Sequence, residues 1–289
     1  MSENKKRILL IYPPSPVMNR EDRCQQPTKE LLVIPPLPPT DLLYLAAVAE
    51  KNGLEAKIED YSQGGDYEKD LKEFNPDYLV VNIATPTLEH DLQAVKLAKE
   101  ICPNIVTIAK GAAFLTLGEK ILKENSALNY GILGEAEETL KEILEGKPKA
   151  DILGIYYFED SQVKFTGKRP FIEDLDSLPF PARHLVNNNI YRRPDNNKVQ
   201  ATVKVSRGCP FHCFFCLATP VSGAKVRKRS PENIVMEIRE CVEKYNIRNF
   251  LFWSDIFNVD RKWTFDLCNA IIDSGLDTVS YTHLTLPTI

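Results

Sequence analysis

The stretch DYLVVNIA (residues 77–84) is an apolar run, interrupted only by Asn82, between Asp77 and the turn-forming TPT of residues 85–87. A run this short, without polar alternation, suits a strand buried on both faces, as in a parallel sheet. Behind it, residues 88–101 carry Leu92, Val95, Leu97 and Ala98 on one side of a helix. Together they make a βα unit, and the same pattern repeats outward in both directions.

Upstream, RILLIY (residues 7–12) reads as a buried strand. A helix follows through Leu42, Leu43, Leu45, Ala46 and Val48, with Thr40 expected as its N-cap and Gly53 as its stop. A strand over 56–61 and a short helix over 67–74 complete the approach to residue 77. Downstream come a strand over 104–109, a helix over 117–124, a strand over 130–133 and a helix over 137–144. Five βα units in order predict an α/β domain over residues 1–150 with a doubly wound, parallel, five-stranded sheet of Rossmann-like type. Ligands of such sheets lie outside the carboxyl ends of the strands. The loops there contain Pro13, Thr85, Thr87, Gly111, Gly134 and Glu135.

Residues 152–158 and 162–165, joined by Glu159-Asp160-Ser161, read as a hairpin. A proline-rich stretch follows, and residues 151–199 are set apart as hairpin and linker. A second α/β segment spans 200–277. It has a strand over 201–206, a helix capped by Ser230 with Pro231 at its first position, a strand over 249–253 and a helix over 260–274 closed by Gly275. The face Ile234, Ile238, Cys241, Val242 and Tyr245 is apolar. Residues 278–289 contain no Asp, Glu, Lys or Arg and break the βα rhythm. They read either as a short third strand or as a tail foreign to the gene; SYTHLTLPTI resembles translated adapter sequence, and the second reading is preferred.

The 289 residues carry a net charge of −4, with 43% hydrophobic and 26% charged residues, the composition of an ordinary globular chain. Such a balance does not call for nucleic acid as a partner. The apolar run after Lys6 is too short for a signal peptide core or a membrane span, so a cytoplasmic protein without membrane partners is expected. Seven cysteines in that setting argue against a disulfide framework. Cys24, Cys102, Cys241 and Cys268 are scattered, and the last two fall on helix faces where a cysteine acts as a small hydrophobe.

The other three stand together in SRGCPFHCFFC (residues 206–216), a C-x3-C-x2-C spacing in a loop leaving a strand. Thiolates suit iron–sulfur clusters and zinc. Cys209, Cys213 and Cys216 without an obvious fourth cysteine would hold a 4Fe–4S cluster with one iron open to a small molecule, since a cubane ordinarily takes four. Zinc, with His212 or a distant cysteine as fourth ligand, is the alternative. His90, His184 and His283 form no metal-ligand pattern. The run Lys225, Arg227, Lys228, Arg229 reads as a solvated basic face or as an anion-binding group.

The cysteine loop, with the aromatic Phe215 ahead of the last cysteine, resembles the signature of the radical S-adenosylmethionine (radical SAM) enzymes. RILLIYPP (residues 7–14), PPLPPTDLLYLAAVAEKNG (35–53) and ILGEAEETL (132–140) are similar to the cobalamin-binding domain that precedes many radical SAM domains, and IEDLDSLPFPARH (172–184) is similar to the segment joining them. The resemblance covers nearly all of residues 6–277. It implies a 4Fe–4S cluster on the three cysteines, S-adenosylmethionine on its open iron, and reductive cleavage to a 5′-deoxyadenosyl radical. It further implies Phe215 near the adenine, Asp255 toward the amino group, and Arg227 or Arg229 toward the carboxylate.

Cobalamin would lie on the loops of the first domain, with methyl transfer to an unactivated carbon as the expected reaction. Other relatives use the same domains for rearrangement, cyclisation or RNA modification. The resemblance also implies a small-molecule or natural-product substrate and an external electron donor such as flavodoxin or ferredoxin. Two departures stand out: YPPSPVMN (residues 12–19) has no cobalt-ligating histidine, and KGAAF (110–114) replaces a Gly-Gly-x-His-like loop. A domain no longer binding cobalamin, and a non-catalytic zinc module, therefore stay open.

A (β/α) barrel uses about 30 residues per βα unit, so six units need about 180. Only 77 residues run from Ala201 to Asp277. The chain is accordingly expected to carry two units of a truncated partial barrel, to fold poorly there by itself, and to show little activity.

Overall fold

The structure, a computed structural model, describes residues 5–15, 18–19, 26–27, 36–193 and 196–281. Cys24, His283 and residues 282–289 of the expected tail lie outside the described residues. The chain divides into two compact units, described separately.

In the first unit, β1 (Arg7–Tyr12), β2 (Glu55–Asp60), β3 (Tyr78–Asn82), β4 (Val106–Lys110) and β5 (Tyr130–Ile132) pair in parallel, in the order β2-β1-β3-β4-β5. This is one of the two common doubly wound orders, with its switch point between β1 and β3. The helices are α1 (Thr40–Lys51), α2 (Tyr67–Phe74), α3 (Leu88–Ile101), α4 (Phe114–Glu124) and α5 (Glu137–Leu144).

Strand alternation divides the core into two layers. Ile8, Leu10, Tyr78, Val80 and Ile108 pack with Leu42, Leu43, Leu140 and Ile143 of α1 and α5. Leu9, Ile11, Leu79, Val81 and Ala109 pack with Leu71, Leu92, Val95 and Ile121 of α2, α3 and α4. The run read from residue 77 is thus buried on both faces. Thr40 is the first residue of α1 rather than its cap; Pro39 holds the cap position and makes no side-chain capping bond.

The hairpin reading needs correcting in its placement. Strands β6 (Ile155–Glu159) and β7 (Gln162–Phe165) are the antiparallel edge of the same sheet, extending it to seven strands. The physical reason is the short β5, whose free side would otherwise be an open edge. Ile155 pairs with Ile132, and Ile155 and Tyr157 are buried. The turn residues Asp160 and Ser161 both take positive φ, as a two-residue hairpin loop requires. The linker is divided as well: residues 166–171 and 181–186 belong with the first unit, where the Ala182 N–H donates to the Leu43 carbonyl at 3.1 Å.

The second unit has three parallel strands, β8 (Gln200–Lys204), β11 (Asn249–Trp253) and β12 (Val279–Tyr281), in the order β8-β11-β12. Between the first two lie the short antiparallel pair β9 (Ser206–Arg207) and β10 (Arg227–Lys228), α6 (Ala218–Ser222) and α7 (Pro231–Tyr245). Helix α8 (Arg261–Asp273) joins β11 to β12. The Ser230 hydroxyl caps α7 from 3.2 Å, and Asp260 caps α8 through the Trp263 N–H at 3.1 Å. Ala201, Val203, Ile234, Ile238, Cys241, Phe250 and Leu267 form the core of this partial barrel. Cys268 departs from expectation and is exposed, whereas Cys241 is fully buried. Of the two readings after Asp277, the third strand describes Val279–Tyr281.

Arg169, just past the hairpin, pairs with Glu142 of α5, which Lys147 also contacts at 2.7 Å. Burial raises the Glu142 carboxyl, but hydrogen bonds from Lys147 and Arg169 outweigh it and hold the group below the ordinary carboxylate range. A depressed folded value gives stability that is complete above the unfolded value of about 4.3 and is lost as pH falls through the folded one. Glu142→Gln is therefore expected to flatten the fall in unfolding free energy below about pH 4.3, measured by urea unfolding across an acid pH series.

Candidate functional site

The cysteine loop grows from the end of β8 and is clipped at its base. Val205 N–H donates to the Trp253 carbonyl at 2.9 Å and Arg229 N–H to the Val205 carbonyl at 3.0 Å. Gly208 sits at φ +98, and a Cβ there would stand 2.1 Å from the Lys225 carbonyl oxygen, so only glycine permits the approach. Its N–H donates to an Asp255 carboxylate oxygen at 2.6 Å. Cys209 N–H meets the Gly223 carbonyl at 3.0 Å, and the Thr219 hydroxyl donates to the carbonyls of Cys209 and Phe211.

Above this base the loop is open. Cys209 is half-buried, Cys213 and Cys216 are exposed, and all three are free thiols. Phe214 is 99% and Phe215 79% exposed, with Phe211 and Leu217 also exposed, so the thiols stand among uncovered apolar side chains. Among the described residues no three His, Cys, Asp or Glu side chains converge closely enough to hold a metal ion. The donor set nevertheless fits an iron–sulfur cluster. Three soft thiols share one loop that contains no carboxylate, and the Ala218 N–H already points to the Cys216 sulfur at 3.4 Å.

The basic run departs from both of its readings. Lys225 is exposed beside Glu173, whereas Arg227 and Arg229 are 4% exposed. Arg227 donates to the carbonyls of Ile172 and Ser222 at 2.6 and 2.7 Å. Arg229 pairs with the buried Glu237, donates to Asn233 at 2.7 Å and lies over the Phe180 ring. The alternation is that of a strand, with inward arginines locking the base of the loop. Neither is placed as a carboxylate ligand for a nucleoside cofactor. Asp255 keeps its place beside the loop, holding Gly208, the neighbour of Cys209.

In the first unit the carboxyl edge of the sheet carries its own polar constellation. Pro13 is buried and Thr85 exposed; Thr87 is buried and gives its hydroxyl to Asp91 at 2.9 Å. Asp91 is wholly buried and also accepts the Ala84 N–H at 2.8 Å, so Thr87 shapes the loop from within. Gly111 has φ +146, and its missing Cβ makes room for the Ile83 carbonyl, 2.1 Å from where that atom would be. The Ile83 backbone is the close neighbour of Gly111. Gly134 has nothing within 4 Å of its absent Cβ, and Glu135 is partly exposed.

Sequence reasoning missed a row beside these loops. Tyr12, Asn82 and Lys110 are the last residues of β1, β3 and β4 on the α1 side, and Asp41 in the first turn of α1 gathers all three. Its carboxylate accepts from the Tyr12 hydroxyl, the Asn82 amide and the Lys110 ammonium, each at 2.6 Å. Lys110 and Asp41 side chains are 8% and 9% exposed. The available signal was the polar residue that closes each of three mostly apolar strands.

Residues 35–144 match the B12 binding domain family. An uncharacterised methyltransferase of Pyrococcus horikoshii is 28% identical over 88% of this chain and 59% of its own length. The cytidylyl-2-hydroxyethylphosphonate methyltransferase of Streptomyces wedmorensis is 28% identical over 94% of this chain and 59% of its own. The anaerobic magnesium-protoporphyrin IX monomethyl ester cyclase of Cereibacter sphaeroides is 26% identical over 83% and 41%. Among solved structures, the radical SAM methyltransferase TsrM of Kitasatospora setae, with cobalamin and a 4Fe–4S cluster bound, superposes with a TM-score of 0.67. It is 17% identical and matches 93% of this chain and 53% of that one. The chain thus spans 41–59% of the length of these relatives.

Arg229→Met would leave Glu237 charged and buried without its partner. The unfolding free energy of the second unit is expected to drop by about 3–5 kcal/mol, read by urea unfolding. Lys225→Ala, at an exposed pair, is expected to leave the urea midpoint in place.

Proposed function

We propose that the chain is the cofactor-bearing part of a cobalamin-dependent radical SAM enzyme that methylates an unactivated carbon of a small molecule or natural product. The carrying observation is three free thiols in one loop leaving a parallel strand, in a chain whose other unit has a B12-binding fold. Cys209, Cys213 and Cys216 would hold a 4Fe–4S cluster. When bound, the cluster supplies the electron that cleaves S-adenosylmethionine and cobalamin supplies the methyl group.

The chain's own part is binding and positioning. Asp255, through the Gly208 N–H, fixes the root of the loop and would meet the amino group of a nucleoside cofactor. Phe211, Phe214, Phe215 and Leu217 give the loop an apolar collar that a bound nucleoside would cover, keeping water from the open iron. The loops after β1, β3, β4 and β5 would cradle cobalamin through Pro13, Thr85, Gly134 and Glu135, without a histidine from the loop after β1. Among the described residues no helix is long and apolar enough to cross a membrane. A cytoplasmic enzyme drawing single electrons from a flavodoxin- or ferredoxin-like donor suits these features. Ring formation is a second reading, favoured by the likeness to the cyclase.

Anaerobic reconstitution of the 289-residue chain with iron and sulfide is expected to give about four irons per chain. Cys213→Ala is expected to lose most of that iron and any release of 5′-deoxyadenosine. Zinc without iron would overturn the reading, and iron without retained cobalamin would reduce it to a radical SAM enzyme with a vestigial first domain.

A further inference from the structure

The antiparallel pair β9–β10 closes the cysteine loop, yet it has only two residues on each strand, Ser206 opposite Lys228 and Arg207 opposite Arg227. A ribbon that short does not hold itself. Its support comes from residues 172–180, a strap that belongs to the second unit. The Ile172 carbonyl accepts from Arg227 at 2.6 Å, and the Phe180 ring lies 5.5 Å from the Arg229 guanidinium. Both carboxylate oxygens of Asp176 accept the Ser230 N–H, at 3.0 and 3.1 Å. The strap thus meets residues 227, 229 and 230, where the chain returns from the loop.

Arg227 carries this support to the first cysteine. Its guanidinium also donates to the Ser222 carbonyl at 2.7 Å. The next residue is Gly223, whose carbonyl accepts the Cys209 N–H at 3.0 Å. Two residues further, the Lys225 carbonyl fills the space left by the missing Cβ of Gly208. Residues 222–225 are therefore a backbone wall against Gly208 and Cys209, and the guanidinium ties that wall to Ile172. The planar fork of an arginine is pre-organised to span two carbonyls, which a lysine ammonium on its flexible stem is not.

The other two thiols stand differently. Cys213 and Cys216 are exposed, and the Cys216 N–H donates to the Cys213 carbonyl at 3.0 Å, a bond inside the loop itself. Cys209 is half-buried and registered to the base from both sides, by Asp255 through Gly208 and by Arg227 through the 222–225 wall.

We infer that Arg227 is the positioning residue for Cys209: by bridging Ile172 and Ser222 it fixes where the first thiol stands, and so the place of a cluster bound there. This rests on the cluster reading given above.

The test compares the 289-residue chain with Arg227→Lys, which keeps the charge and gives up the fork. Without metal, Cys209 is expected to be the slowest of the three thiols to react with iodoacetamide, read by peptide mass spectrometry. In the variant its rate is expected to rise about tenfold, the local opening that loss of one hydrogen bond to a charged group allows, with Cys213 and Cys216 unchanged. After anaerobic reconstitution with iron and sulfide, the reduced variant is expected to show shifted g-values by electron paramagnetic resonance before any S-adenosylmethionine is added. Should Arg227→Lys fail to fold, Asp176→Ala, which removes a partly exposed anchor of the strap, is expected to give both changes in smaller measure. A folded variant whose spectrum matches the parent's would overturn this inference alone: with a raised Cys209 rate Arg227 would be merely structural, and with weakened S-adenosylmethionine binding it would be a ligand contact. An unchanged Cys209 rate would overturn it as well. A parent chain that takes zinc and no iron would overturn the cluster reading and this inference together.

Discussion

A strand covered on both faces is apolar along most of its length, and neighbouring strands pair in parallel only when the chain crosses over between them, usually through a helix. That constraint arranges the rest of the first unit. It turns Leu9 and Ile11 toward one helical layer and Ile8 and Leu10 toward the other. It also sends every loop that follows a parallel strand to one edge, where backbone and polar side chains meet solvent. The chemistry of the domain has no other place to gather.

The same rule acts on a smaller scale in the second unit. The loop with Cys209, Cys213 and Cys216 again follows a parallel strand, and its root depends on a backbone approach that any side chain on Gly208 would block. Around that root polar side chains hold the backbone: Asp255 on Gly208, Thr219 on two carbonyls, Arg227 on carbonyls, and Arg229 on a carbonyl and a buried glutamate. Above that base the crown carrying the thiols is uncovered, with Cys213 and Cys216 exposed.

Much of this was legible in the sequence because it is local. The limits of β1, α2, α3, α5 and β11 follow from apolar period and flanking turns, and the Ser230 cap from its Pro231 neighbour. The cysteine spacing named the donor set. What was not legible depends on partners distant in the chain. The pairing of Ile155 with Ile132 moved the hairpin from a linker into the sheet. The period-two alternation of Arg227, Lys228 and Arg229 has meaning only once Glu237 and Phe180 stand beneath it. Asp41 looks like an ordinary first-turn carboxylate until three strand ends are seen to converge on it.

The two rims of the seven-stranded sheet have a consequence for association. Its outer strands are β2 and β7. On β2, Glu55, Lys57 and Glu59 alternate with the buried Ala56 and Ile58, and Lys57 is held by Glu59 and Asp70 at 3.3 and 2.6 Å. On β7, Lys164 interrupts Val163 and Phe165. Charges spaced along a free strand oppose the docking of a second one. The sheet is therefore defended against growing sideways into aggregates.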